Sequence, residues 1–164
     1  MTREQMDSLV EDHFRAEEAR DIQAIVAEFA SECEHNVPGR PGGAIRGEAQ
    51  IAAFYRGLLS ELEIERFEGV RRWYGDDHVV DESILDATAR GRPFGLEGHG
   101  RQVRVRLLHV FDFGDGLIRR ESAWLDFAGL QEQLCDQEAP TARPAPSSER
   151  SPHAKSVPTE RFHR

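Results

Sequence analysis

The order of periodicities along this chain of 164 residues predicts an α+β domain in which a curved antiparallel sheet wraps over three N-terminal helices. Apolar residues recur at helical spacing in three early stretches, and from residue 64 onward they alternate instead. The alternating stretches are joined by hairpin-like turns, of which Asp115-Gly116 is the sharpest signal.

The first helix, over 4–18, sets Met6, Leu9, Val10, His13 and Phe14 at i, i+3, i+4, i+7 and i+8, a single stripe. "ARDIQAIVAEFA" repeats the theme with Ile22, Ile25, Val26 and Phe29, and Asp21 is placed to cap it. "CEHNV" reads as a short strand and "PGRPGG" as a loop. "GEAQIAAFYRGLLSEL" then supplies Ile51, Phe54, Tyr55, Leu58, Leu59 and Leu62, a third helix. Strands follow at 64–74, 78–89, 101–113 and 117–127, and a short helix at "AGLQEQL" closes a domain set at 1–136. From 137 to 164 the chain is rich in Pro, Ser and charge and holds a single aromatic, Phe162, so a disordered tail is expected there.

Charge narrows the partners. Of 21 Lys and Arg and 30 acids, the tail holds five and three, which leaves 16 against 27 in the domain, a net of −11. A nucleic-acid backbone is a poor partner for such a surface. The apolar runs are short and the N-terminus is charged and amphipathic, so neither a membrane span nor a leader is expected and the location is set as cytoplasmic. Cys33 and Cys135 lack CxxC spacing and read as reduced thiols. Arg outnumbers Lys by 20 to 1, a skew attributed to a GC-rich bacterial genome.

In "RQVRVRLLHVFDF" the residues Val103, Val105, Leu107, His109, Phe111 and Phe113 share one face, a core face with a histidine in it. With Asp115 and Gly116 at the tip, regular pairing sets Phe113 opposite Ile118, His109 opposite Ser122, Leu107 opposite Trp124 and Val105 opposite Asp126. A three-residue turn would instead bring Leu117, Arg119, Glu121, Ala123 and Leu125 inward. The first register is preferred because it lays Ile118 and Trp124 on the apolar face. Asp126 then faces the interior beside His109, where desolvation and an imidazole would tune a general acid or base. The other reading of Asp126 is the cap of the helix that follows it.

The stretch "FDFGDGLIRRESAWLDF" resembles the SnoaL-like polyketide cyclase branch of the nuclear transport factor 2-like superfamily. It does so in Phe111 with Phe113, Asp115-Gly116, Ile118, and Trp124 with Asp126. "IRGEAQIAAFYRGLL" looks like that family's third helix, and "GHGRQVRVRLLHVF" like the start of its long strand. The resemblance covers about residues 5 to 135 and implies a cone-shaped α+β barrel. It also implies a catalytic aspartate at Asp126, a pocket histidine at His109, and a homodimer through the outer face of the sheet. The Arg-x-Asp of the limonene-type epoxide hydrolases has no counterpart in "VVDESILDA", and the first helix lacks the tyrosine of the ketosteroid isomerases. Both mechanisms are therefore disfavoured.

The expected ligand is a hydrophobic carbonyl compound of polyketide or terpenoid type, turned over by acid/base chemistry without a cofactor, with Trp124, Phe111 and Leu107 as apolar wall. His35 and Tyr55 are candidates to hold its oxygen, each with an ordinary structural role as the alternative. Glu82 could face either way, Ser122 shares the His109 face in the preferred register, and Trp73 reads as packing or as a hydrophobic wall. No metal site is expected, since no two of His35, His99 and His109 come with an acid at ligand spacing. The same fold also hosts ligand-binding and protein-interaction modules, the other reading kept for this chain.

Overall fold

A computed structural model describes residues 1–135; the expected tail and the last residue of the expected domain lie outside the described residues. Helix α1, Arg3–Glu18, opens with a capping box in which the Thr2 hydroxyl accepts from Gln5 N at 3.2 Å and Gln5 Oε1 accepts from Thr2 N at 2.9 Å. Helix α2, Ile22–Ala27, starts at the expected Asp21, whose carboxylate accepts from the backbone of Gln23 and Ala24. Strand β1, Phe29–Asn36, and the two-residue β2, Ile45–Arg46, precede helix α3, Glu48–Glu61. Then come β3, Leu62–Tyr74; β4, His78–Ala89; β5, Arg101–Gly114; β6, Leu117–Leu125; and a closing helix α4, Phe127–Cys135. None of the helices among the described residues is long and apolar enough to cross a membrane.

The six strands form one curved, open sheet in the order β2-β1-β6-β5-β4-β3. All neighbours are antiparallel except β1 and β6, which run parallel, a departure from the wholly antiparallel sheet expected. The pairing is possible because α3 and the two long hairpins lie between β1 and β6 in the chain, long enough for a crossover. Met6, Val10 and Phe14 of α1 and Ile51, Tyr55 and Leu59 of α3 bury against the concave face, which β5 lines with Val103, Val105, Leu107, His109, Phe111 and Phe113 as expected.

The hairpin between β5 and β6 has the predicted tip but not the predicted register. Asp115 and Gly116 both have positive φ, at 55° and 81°, the geometry of a two-residue turn that matches strand twist. Phe113 faces Ile118 as expected, but Asp112 then faces Arg120, so Arg119 is an extra residue and β6 bulges. Because side chains alternate with period two, one inserted residue exchanges the two faces of everything beyond it. Glu121, Ala123 and Leu125 therefore turn inward, while Trp124 is 44% exposed on the outer face.

Candidate active site

The bulge at Arg119 delivers Glu121 to the concave side, where it lies opposite Phe111 on one strand and beside His35 on the other. At 1% exposure its carboxylate needs partners, and α1, α3, β1 and β5 each provide one. From α3 the Tyr55 hydroxyl donates to Glu121 Oε2 at 2.9 Å. From α1, His13 Nε2 lies 3.5 Å from the same oxygen. His35 Nε2 on β1 is 3.6 Å from Oε2, and His109 Nε2 on β5 is 3.9 Å from Oε1.

A second carboxyl group completes the cluster. Glu17 follows His13 by one helical turn, so both project from the same side of α1, and Glu17 Oε1 lies 3.2 Å from His13 Nε2 and 3.5 Å from the Tyr55 hydroxyl. His13 Nδ1 donates to Glu28 at 2.7 Å, which fixes the ring from behind. Glu17, Tyr55, Glu121, His35 and His109 all line a cavity of about 60 Å³ whose other walls include Leu58, Leu62, Phe67, Val105 and Leu107. His13 stands just outside that lining.

Burial would drive the proton off His13, but the charge of Glu121 and hydrogen bonds to Glu121, Glu17 and Glu28 outweigh it, so the imidazole is held well above its ordinary range. Glu121 is the converse: burial would raise it, yet the imidazoles of His35, His13 and His109 and the His13 hydrogen bond hold it well below the usual carboxylate range. Burial raises Glu17 despite its contact with His13. Burial also lowers His35 and His109, and together with the neighbouring glutamates it lifts the Tyr55 phenol well above its ordinary value. The cavity thus faces the Glu121 and Glu17 carboxyl groups, the Tyr55 phenol and the imidazoles of His35 and His109.

Of the residues proposed from sequence, His109, His35, Tyr55 and Leu107 line the cavity. Phe111 packs flat against His109, with ring centroids 5.5 Å apart, and belongs to the core beneath. Asp126 is corrected: it is exposed outside the cavity, and its Oδ1 accepts from Gly129 N at 3.0 Å, the helix-cap reading. Trp124 and Ser122 are corrected with it, because the bulge puts Trp124 beside Leu108 and Ser122 beside Val110, both outside the cavity lining. Glu82 faces outward and pairs with Arg106, since Val79, Asp81, Ser83, Leu85 and Ala87 take the inner face of β4. Trp73 is also outside, 42% exposed beneath the Arg71 guanidinium at 5.1 Å.

Sequence reasoning missed Glu121 and Glu17. A signal existed for Glu17: continuing the stripe Met6, Val10, His13 by one turn reaches it. For Glu121 the alternative register held the clue. His13, Glu17 and Glu121 also offer one ligand atom each within 4.8 Å of one another, a grouping that the search for acids beside His35, His99 and His109 passed over. In this arrangement the His13 imidazolium supplies the positive charge between the two carboxyl groups.

An open curved sheet over helices, with polar side chains converging inside, defines the cone of the nuclear transport factor 2-like class. Residues 10–121 match the model of the SnoaL-like domain, and the chain belongs to that family. Among solved structures it is similar to a protein of Jannaschia sp. CCS1 described as a SnoaL-like polyketide cyclase, at 18% identity and a TM-score of 0.71, over 81% of this chain and 93% of that one. It is also similar to TsrD from Streptomyces laurentii, at 22% identity and TM-score 0.70, over 82% and 97% of the two chains. A third structure, described as an isomerase from Bacillus subtilis, matches at 15% identity and TM-score 0.69, over 82% and 95%. No curated protein matches the sequence.

Proposed function

We propose that this SnoaL-like protein is an acid/base enzyme of isomerase, cyclase or dehydratase type, working through its own side chains on a compact, apolar carbonyl compound. The observation that carries the reading is Glu121: a buried carboxylate on the wall of an otherwise apolar cavity, ringed by Tyr55, His35, His109 and Glu17. Glu121 takes a proton from a carbon next to the carbonyl, and the C–H electron pair moves onto the carbonyl oxygen. Glu17, in its protonated form, and the His35 N–H donate hydrogen bonds to that oxygen as it becomes negative. Glu121, sharing the proton with His109, returns it to another carbon, which completes an isomerisation; attack of the enolate on a second carbonyl would instead close a ring. The neighbours described as a polyketide cyclase and an isomerase favour this class of chemistry.

Exchange of α-protons in deuterated buffer, followed by proton NMR on a panel of small β-diketones and cyclic enones, tests the proposal. The Glu121→Gln variant is expected to slow exchange by about 10²- to 10⁴-fold while remaining folded, with a lowered thermal midpoint because His13 loses a buried partner. Exchange at the parent rate would remove Glu121 from the mechanism.

A second reading, a non-catalytic ligand-binding or interaction module, is favoured by the same partners that hold Glu121 low, because they also weaken it as a base. It predicts a bound small molecule and no turnover, which native mass spectrometry of freshly purified protein separates from the first. A homodimer belongs to the proposal: Trp73, Leu108 and Trp124, 42%, 36% and 44% exposed, share the outer face of the sheet, and a second copy would cover them.

A further inference from the structure

Three polar atoms on the inner face of β4 and β5 have no partner: Asp81 Oδ1, Ser83 Oγ and His109 Nδ1. Their residues are 1%, 0% and 4% exposed, so bulk water does not reach them. They are neighbours by register. Asp81 sits directly across the ladder from His109, and Ser83, across from Leu107, is diagonal to it. Directly opposed side chains in such a ladder start about 4.5–5.5 Å apart at Cβ, a span that one water bridges. A buried water typically makes about three hydrogen bonds to groups that would otherwise lack them.

We infer that Asp81 is a positioning residue for His109: through one water shared with Ser83 it holds the proton on Nδ1 and leaves the Nε2 lone pair facing Glu121 and the cavity. The direction follows from donor and acceptor chemistry. The second Asp81 oxygen is taken by Arg72 Nε at 2.8 Å, and Arg72 is itself anchored by Asp7 at 2.7 Å and Glu11 at 2.9 Å. A carboxylate so paired can only accept, so the water gives it one proton; in the inferred arrangement the second goes to Ser83 Oγ, and the water's lone pair accepts from the ring N–H. The tautomer of a histidine is set by the hydrogen bond of its other nitrogen. The ring is also fixed mechanically, stacked on Phe111 and packed against Phe14.

The charged and titratable groups around His109 are Glu121 from β6, Asp81 from β4, His13 from α1 and His35 from β1, and Arg72 of β3 stands behind Asp81. Among them Asp81 alone meets the buried side of the ring across its own ladder. A proton shared between Glu121 and Nε2 makes His109 an imidazolium for the life of the intermediate, and Asp81 stabilises that charge from the other side of the ring. This catalytic use rests on the proposed proton transfer; the tautomer does not.

Long-range proton–nitrogen NMR of the full chain labelled at histidine nitrogens reads the tautomer without substrate. His109 is expected with Nδ1 protonated and Nε2 free. Asp81→Asn should shift the ring toward the Nε2-protonated form, and Ser83→Ala should shift it the same way by less. Should Asp81→Asn fail to fold, Ser83→Ala carries the test alone. An Nε2-protonated His109 in the parent, or ring nitrogens unchanged in a folded variant, would overturn the inference. In the α-proton exchange assay Asp81→Asn should lower kcat at least about tenfold with KM little changed. Loss of exchange in Glu121→Gln is a separate readout, so the two readings fail independently.

Discussion

Tyr55 donates its hydroxyl to Glu121 at 2.9 Å, and both side chains are buried between α3 and the sheet. The phenol oxygen also lies 3.1 Å from His13 Nε2 and 3.5 Å from Glu17 Oε1, so one phenol ties Glu17 and Glu121 together. Tyr55→Phe removes only that oxygen. It should destabilise the fold by about 1–3 kcal/mol, since Glu121 loses a donor it cannot replace, and urea unfolding of parent and variant measures it. A loss under a few tenths of a kcal/mol would mean that the hydrogen bond is not formed in solution.

His13 holds three glutamates together at the heart of the fold. His13→Gln should cost about 3–5 kcal/mol, the scale for removing one partner of a buried ion pair. The double variant with Glu121→Gln should be more stable than the sum of the single losses, because it also removes the uncompensated charge. Additive losses would show that the two residues do not interact.

Stability should fall at both ends of the pH range. His13 is raised above its ordinary 6.5 in the folded protein, so its contribution is full below about pH 6.5 and is lost as pH rises through the folded value. Glu121 is depressed below its ordinary 4.5, so its contribution is full above about pH 4.5 and is lost as pH falls toward the folded value. His35 and His109, both lowered, add to the acid limb because unfolding lets them take up protons. Thermal midpoints from about pH 4 to 10 should show both limbs, with the alkaline one absent in His13→Gln.

Asp126 is a cap, and its removal should act as one. Asp126→Ala is expected to cost about 0.5–2 kcal/mol through loss of the bond to Gly129 N, with α-proton exchange within a few-fold of the parent. A collapse of exchange with an unchanged thermal midpoint would return Asp126 to the active site.

Trp124→Glu places a charge among the exposed Trp73, Leu108 and Trp124 positions of the outer face of the sheet. Sedimentation velocity should find a dimer for the parent and a monomer for the variant at the same concentration. A parent that sediments as a monomer would reject the proposed homodimer.

Much of the fold could be read before the structure, and the reason is local. The stripe through Met6, Val10 and Phe14, the cap at Asp21, the alternation along β5 and the Asp115-Gly116 turn each follow from the preferences of a few consecutive residues. They placed His109, His35 and Tyr55 correctly on inner faces. One decision was not local. The extra residue at Arg119 leaves no mark in a period-two pattern, because Ile118 and Trp124 look as suitable for one face as Glu121, Ala123 and Leu125 do for the other when the first is counted as core.

The sequence by itself determined the order of helices and strands, the tip of the last hairpin and the core face of β5, since periodicity and turn chemistry are carried by neighbours in the chain. Tertiary structure alone decided that Glu121 rather than Asp126 faces the cavity, and that His13 and Glu17 of α1 meet it there. The cause is energetic: a bulge that buries a carboxylate is stable only where α1, α3, β1 and β5 bring it hydrogen bonds and an imidazolium, and those partners come together only when the sheet has closed over the helices.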